Sequence, residues 1–272
     1  MNYIMQKLRV CKAVAFVTYK EWSAYRTHSL VSVFVGPVYF IVQYFIWTAV
    51  YGGNGNLGGM ELTETIRYFG VSALIGYLTM DFADWNLQML VRTGKFLTFT
   101  LRPLHHRFFA LSQKLGHRVL GFFFEFLPCF LIFLFVFRID IIPSEIGWTI
   151  LSVALAFLMN FYVNYCLGMT AFYFVRANGI RVVYQLIDSI FAGSLIPLSF
   201  FPDVIQRIMM FLPFQYTNYI PAMVWTGNAS IGSLGLTIPE AVLCQGIAVA
   251  VTAVLSEIIY RLSIKRFTAV GA

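Results

Sequence analysis

Residues 119–137 read VLGFFFEFLPCFLIFLFVF, and Glu125 is the one charged side chain in this run. A helix needs roughly 20 consecutive apolar residues to cross the hydrocarbon core of a bilayer, which is about 30 Å thick. The run has that length and is too apolar to cover the surface of a water-soluble protein. Because a chain in lipid must satisfy its own backbone hydrogen bonds, the run predicts a transmembrane helix.

The composition of the whole chain also indicates a membrane protein. Of the 272 residues, 59% are hydrophobic and 11% are charged, against about 25% charged in a typical soluble domain. The net charge of +7 is a property shared with nucleic-acid-binding domains. Here the charges lie between apolar runs, so no nucleic-acid partner is expected. We predict an all-α integral membrane protein with a single transmembrane domain over residues 1–272.

Five further apolar runs bring the predicted number of transmembrane helices to six. The predicted spans are residues 30–51, 66–87, 119–137, 144–175, 182–201 and 241–262. Cytoplasmic segments of membrane proteins carry an excess of Lys and Arg. With the N-terminus inside, Arg67, Arg138 and Arg207 lie on the outer side, and the rest of the 19 Lys and Arg residues lie on the inner side. Both termini are therefore predicted to be cytoplasmic.

Residues 1–28 precede the first span and have an amphipathic pattern. A stripe of apolar residues falls on one helical face, and basic residues fall on roughly the opposite face: Ile4, Leu8, Cys11, Ala15 and Trp22 against Arg9, Lys12 and Lys20. Such a segment is typical of a helix that lies in the inner membrane interface and contacts lipid. The alternative is an ordinary charged lead-in to the first span.

Two connecting segments have unusual sequences. The inner loop at residues 91–118 is basic and interleaved with Phe and Leu, so it can lie on anionic lipid or dock a cytosolic partner. The outer region at residues 193–225 contains Pro197, Pro202, Pro213 and Pro221. Prolines at this density interrupt helices. We therefore expect a short fifth span followed by one or two re-entrant or interfacial half-helices.

Ionisable residues within spans are costly in lipid and are often functional. Asp81 and Asp84 are three residues apart, so a continuous helix would place them on one face, where they could pair with Arg92 or other inner-loop cations and help set an inner gate. The alternative is that both carboxylates reach the inner interface. For Glu125 we favour an interhelical hydrogen bond, whereas Asp188 and Pro197 are candidates for a substrate path.

The sequence has no pattern typical of catalysis or metal binding. It contains no phosphate-binding loop ending in Gly-Lys-Ser/Thr and no Gly-x-Ser-x-Gly elbow. His105 and His106 are adjacent and so do not share a helix face, and the four cysteines form no Cys-x-x-Cys pair. We expect no enzyme activity, no metal and no cofactor bound by this chain.

Two motifs carry a resemblance to a known family. The inner loop contains Arg92-Thr93-Gly94 followed by Leu101-Arg102-Pro103-Leu104. The outer region contains IPLSFFP at residues 196–202, LPFQY at residues 212–216, and then Pro221. With six spans around these motifs, the whole chain resembles permease subunits of the ABC transporter type-2 family, the six-span exporters of bacteria.

The resemblance implies a permease in the bacterial cytoplasmic membrane that dimerises with a copy of itself or with a related chain. It implies cytosolic ABC ATPase subunits that bind ATP and Mg, because this chain has no nucleotide site of its own. It also implies a cytoplasmic coupling helix in the inner loop, with the coupling residues Arg92, Gly94, Lys95, Phe96, Arg102 and Pro103. Relatives often carry acidic residues near the positions of Lys95 and Leu97, so the matching ATPase groove is expected to differ in charge.

Two other classes of membrane protein share this apolar composition. A secondary carrier or channel would work without an ATPase and is typically built from inverted repeats with broken helices. The first and last three predicted spans show no obvious repeat. A membrane-embedded enzyme needs clustered His, Glu, Asp or Ser residues, which the sequence lacks.

Overall fold

The structure is a computed structural model that describes residues 3–23, 31–53, 55–102, 104–174, 178–228, 231 and 235–266. It is built almost entirely of helices, with one short hairpin, Asn56–Leu57 (β1) against Met60–Glu61 (β2). The main helices are α1 (Tyr3–Ser23), α2 (Val35–Tyr51), α3 (Leu62–Thr79), α4 (Ala83–Arg92), α5 (Leu97–Thr100), α6 (His106–Gly121), α7 (Leu127–Phe135), α8 (Ile146–Met169), α9 (Asn178–Phe191), α10 (Asp203–Met209), α11 (Tyr219–Thr226) and α12 (Ile238–Ile264).

Three helices among the described residues are long and apolar enough to cross a membrane: His106–Phe135, Ile146–Phe172 and Ile238–Ile264. They correspond to the third, fourth and sixth predicted spans. Helix α2, in the place of the first span, is apolar but shorter. The fifth predicted span, 182–201, is too long, because α9 ends at Phe191. The structure thus confirms an all-α membrane protein, while the six-span count stays a prediction.

The second predicted span, 66–87, is not one helix. A capping box formed by Glu61 and Glu64 begins α3, which ends at Thr79, and α4 begins at Ala83. Met80, Asp81 and Phe82 lie in the break between the two helices. The prediction that Asp81 and Asp84 share a face of one continuous helix is therefore wrong.

The third span begins earlier than predicted. Helix α6 starts at His106 and continues through a π-helical stretch, Phe122–Phe126, into α7. The predicted coupling loop at 91–118 is therefore too long at its C-terminal end, since residues 106–118 belong to a helix. Sequence reasoning assigned those residues to a loop because Lys114, His117 and Arg118 interrupt the apolar pattern.

Helix α1 is a continuous helix that packs along α6. The two backbones approach closely at Gly116, where an added Cβ would lie 2.2 Å from the carbonyl oxygen of Ala15. Val10, Cys11, Val14, Ala15 and Thr18 form the less exposed face of α1, whereas Leu8, predicted on the apolar stripe, is 64% exposed. An interfacial helix with apolar side chains free for lipid is compatible with this packing.

The outer region at 193–225 consists of short helices, as expected from its prolines. Helix α11 is buried throughout and packs on α3 and α8, and the indole nitrogen of Trp225 donates to the carbonyl of Ile141 at 2.7 Å. Gln245 of α12 accepts from the hydroxyl of Ser152 of α8 at 2.7 Å and donates to the carbonyl of Tyr216 at 3.0 Å. These bonds fix the outer region to the long helices.

Candidate functional site

The inner segment at residues 92–104 leaves α4 through a sharp turn. Arg92 is the last residue of α4, and Gly94 has φ +70°, a left-handed conformation that glycine adopts without strain. The chain then forms the single helical turn α5 and reaches α6 at His106. One helical turn, Leu97–Thr100, thus lies within the 92–103 stretch indicated by the motif, and its role in coupling stays a prediction. Pro103 lies outside the described residues.

Phe96 anchors this segment to the helical core. Its side chain is 0% exposed and packs in a cluster with Leu87 of α4 and Tyr165 of α8. Its ring lies 5.1 Å from that of Phe172 and 5.2 Å from that of His106, measured between ring centroids. The amide of Phe96 donates to the carbonyl of Leu90 at 3.0 Å. A displacement of the segment would therefore pull directly on α4 and α8.

The opposite side of the same segment is exposed, basic and apolar. Arg92, Lys95 and Arg102 are exposed, and Leu101 is 81% exposed. The guanidinium of Arg102 lies 4.7 Å from the centroid of the Phe99 ring, a cation–π contact that orients it. Five exposed residues of this segment form a surface that we call the coupling tip: Arg92, Lys95, Leu97, Leu101 and Arg102.

The break between α3 and α4 carries buried charges. Asp81 accepts from the amides of Phe82 and Ala83 at 2.9 and 3.2 Å, so its carboxylate satisfies donors at the start of α4. Its other oxygen lies 3.9 Å from the ammonium of Lys114, and both side chains are almost fully buried. Lys114 also donates to the carbonyl of Phe157 at 2.7 Å, which connects α6 to α8.

Arg118 supports the other side of the break. It donates to the backbone carbonyl of Tyr77, which the end of α3 leaves without a helical partner, and lies 3.5 Å from the carboxylate of Glu125. Glu125 in turn accepts from the hydroxyl of Ser32 at 3.0 Å. The interhelical hydrogen bond predicted for Glu125 is therefore present. Asp81 and Arg118 together satisfy the backbone at both ends of the interruption.

Asp84 forms an ion pair with α9. Its carboxylate lies 2.7 Å from the Nε atom of Arg181, and the Asp84 side chain is 3% exposed. The sequence predicted pairing with Arg92 or other inner-loop cations. In the structure Arg92 is exposed, Asp81 pairs with Lys114 of that loop, and Asp84 pairs with Arg181, which lies outside it. These contacts connect the break to α6 and α9.

Asp188 lies on α9 in an open cleft of about 300 Å³ that is separate from the inner ion pairs. The cleft is lined by hydroxyl, amide and small residues of five elements or connections, namely Tyr39, Ser72, Ala73, Gly76, Thr79, Asn160, Ala192, Ser194, Thr217 and Asn218. Pro197 is buried in the outer region and does not belong to this lining. Of the candidate path residues, the structure therefore brings Asp188 to a cleft, and Asp81 and Asp84 to the break.

A comparison with protein families gives one match over most of the chain. The family described as ABC-2 family transporter protein matches residues 38–271. The chain belongs to the ABC-2 transporter family. It is thus a multi-pass membrane protein and a permease component of an ABC transporter, a class whose transport is driven by an ABC ATPase. No protein among the curated ones and no solved structure matches the chain.

In this ABC-2 permease, inner-loop cations were predicted as partners of Asp81 and Asp84, but the sequence did not identify which ones. Lys114 of that loop pairs with Asp81 as predicted, whereas Asp84 pairs with Arg181 outside the loop, and Arg118 pairs with Glu125. A signal was present for two of them, because Lys114 and Arg118 are spaced i, i+4 on an otherwise apolar helix and so share one face. For Arg181 the sequence offers no comparable signal.

Proposed function

We propose that this chain is the transmembrane permease subunit of an ATP-driven ABC exporter, with separate cytosolic ATPase subunits that bind ATP and Mg. The observation that carries the proposal is the construction of the inner segment. The coupling tip is exposed, while Phe96 of the same segment is fully buried between α4 and α8. A partner docked at the tip is therefore joined to the membrane helices through one rigid contact.

The contacts suggest how a movement of the tip would reach the interior. Phe96 packs on Leu87 of α4, and Asp84 of the same helix pairs with Arg181 of α9. Arg181 and Asp188 are seven residues apart, two helical turns, so they lie on the same side of α9. We propose that closure of the ATPase dimer shifts α4 about the break at residues 80–82, and that the Arg181–Asp84 pair passes this shift to the Asp188 cleft.

The proposed assembly places two permease subunits side by side in the bacterial cytoplasmic membrane. The second subunit is a copy of this chain or a related one. We assign residues 1–272 to one permease domain with six spans and both termini in the cytoplasm. Within it, we assign residues 1–28, which include α1, to the membrane interface in contact with lipid, and residues 193–225 to the outer re-entrant region. ATP hydrolysis belongs to the partner chain.

Affinity purification from native membranes in mild detergent tests the ATPase partnership. We expect a soluble ABC ATPase to co-purify with the wild-type chain. The variant Leu101→Glu, which places a charge on the coupling tip, is expected to lose it. Val204→Glu, a similar change at a 68% exposed position on α10, is the matched control and is expected to retain it. A chain that purifies without any ATPase, from membranes in which other such complexes survive, would favour the secondary carrier.

Topology is tested by labelling single cysteines in a background without the native ones. Leu101→Cys is expected to react only with reagents that reach the cytoplasm, and Asn56→Cys, in the exposed β1 strand, only with reagents applied outside. Labelling of both positions from one side contradicts the proposed orientation. The direction of transport is tested separately, as ATP-dependent uptake of substrate into inside-out vesicles.

A further inference from the structure

We propose that the Asp188 cleft binds the transported substrate and that this substrate is a monovalent organic cation, with the Asp188 carboxylate as its counter-charge. The inference rests on the proposed transport function and adds to it the chemical class of the substrate. It is carried by the charge, the depth and the lining of the cleft.

Asp188 lacks a cationic partner among the described residues. Its neighbour is the hydroxyl of Tyr184 on the same helix, 3.3 Å from one carboxylate oxygen. The nearest cation along α9, Arg181, is already paired with Asp84 at 2.7 Å. Among the residues that line the cleft, Asp188 is also the one charged side chain. The cleft therefore has a negative charge that this part of the chain does not neutralise.

The position of Asp188 makes that charge costly. Asp188 is ten residues into α9, which corresponds to about 15 Å along the helix axis. In the proposed topology α9 belongs to the fifth span, and a carboxylate at this distance from the start of a span lies near the middle of a bilayer about 30 Å thick. Charged side chains at such depth usually pair with another charge or mark a substrate or ion path. A bound cation would offset this cost.

The lining indicates an organic cation and not a metal ion. A volume of about 300 Å³ lies at the lower end of the range for small-molecule sites. Calcium and magnesium need about six or more oxygen ligands, usually with more than one carboxylate. No group of three or more His, Cys, Asp or Glu residues in the described part of the chain could hold a metal. The Tyr39 ring at the cleft can instead contact a cation through its face.

The polar residues of the cleft are placed to bind the rest of such a molecule. The amide nitrogen of Asn218 donates to the hydroxyl of Ser72 at 2.8 Å, so both side chains are held in position before any ligand arrives. Asn160 and Thr217 add further donors and acceptors. Thr79, at the inner end of α3, also lines the cleft and immediately precedes the break. A shift of α4 would therefore change the shape of this site.

The test compares two fluorescent probes that differ by one methyl group and one charge. They are dimethylaminostyryl-methylpyridinium, a permanent cation, and dimethylaminostyrylpyridine at a pH where it is uncharged. Binding is measured by fluorescence on the full chain in lipid nanodiscs, together with any ATPase that co-purifies. We expect the wild-type chain to bind the cation at least about tenfold more tightly than the neutral probe. Equal affinities, or no binding of the cation, would overturn the proposal.

The Asp188→Asn variant assigns the preference to the carboxylate. We expect it to bind both probes equally, whereas Asp203→Asn, an exposed site on α10, keeps the preference. A preference that survives in Asp188→Asn overturns the assignment. A second measurement uses the unaltered chain and so does not depend on the folding of a variant. Modification of Asp188 by dicyclohexylcarbodiimide, followed by peptide mass spectrometry, should be slowed by the cation and not by the neutral probe. Equal rates with both probes would also overturn the proposal.

The two proposals fail in different ways. If an ATPase co-purifies but the cation does not bind preferentially, the permease function stands and the substrate class is wrong. If the cation binds through Asp188 but no ATPase co-purifies, the cation site stands and belongs to a secondary carrier.

Discussion

Replacement of Phe96 by alanine tests the idea that one buried side chain holds the coupling tip in place. Phe96 is fully buried, with three rings within 6.1 Å of its own. Deletion of a buried Phe side chain typically costs about 3–5 kcal/mol. The long helices are held together by many other contacts. The substitution therefore mainly destabilises the packing of residues 92–104 against these helices. A loss of about 3 kcal/mol raises the undocked population on the order of a hundredfold.

Amide hydrogen exchange measured by mass spectrometry reports this change directly. The amide of Phe96 donates to the carbonyl of Leu90 at 3.0 Å, and the amide of Phe99 donates to the carbonyl of residue 96 at 2.9 Å. In Phe96→Ala these amides are expected to exchange up to about a hundredfold faster. Leu101→Ala, at an 81% exposed position of the same segment, should leave their rates within about twofold. If the amides of Phe96→Ala exchange at the wild-type rate, the anchor lies elsewhere and the reasoning is refuted.

Three further predictions concern the break, α1 and the turn into the tip. Asp84→Asn should lower the free energy of unfolding by about 1–3 kcal/mol, because it leaves Arg181 without its partner. Adding Arg181→Gln should recover part of the lost stability. A double-mutant cycle measured by thermal unfolding that shows purely additive losses would contradict this. Gly116→Ala should displace α1 and speed its proteolysis, whereas Gly147→Ala, with nothing within 4 Å, should not. Gly94→Ala should cost about 1–2 kcal/mol at φ +70° and raise amide exchange in the tip; an unchanged rate would argue against the left-handed turn.

The long helices could be predicted because their apolar runs are long. Helices α8 and α12 lie close to the predicted fourth and sixth spans, because a run of that length has no competing structure in lipid. The N-terminal helix was also predicted from its periodicity. The break in the second span was not, since Met80 and Phe82 are apolar and the stretch contains neither Gly nor Pro. The remaining hint was Asp81, a residue type that caps helix N-termini.

The site was predicted in part. The motif located the segment at 92–104, but a single helical turn is too short to have a hydrophobic period. Sequence alone therefore did not separate the buried Phe96 from the exposed Leu97 and Leu101. Asp188 was a candidate because carboxylates are rare in spans. The residues that surround it come from distant parts of the chain, and their meeting depends on packing that one sequence does not encode in any local pattern.

The break between α3 and α4 has a consequence for the biosynthesis of this permease. Arg118, which supplies the donor to the carbonyl of Tyr77, and Lys114, which faces Asp81, both come later in the chain. When residues 62–92 first reach the insertion machinery, both cations are still inside the ribosome and cannot contact them. Until α6 arrives, the nascent second span carries the unpaired carbonyl of Tyr77 and the unneutralised carboxylate of Asp81. Both groups make insertion of this span on its own unfavourable. In the proposed topology, the first three membrane segments would then enter the bilayer as a group.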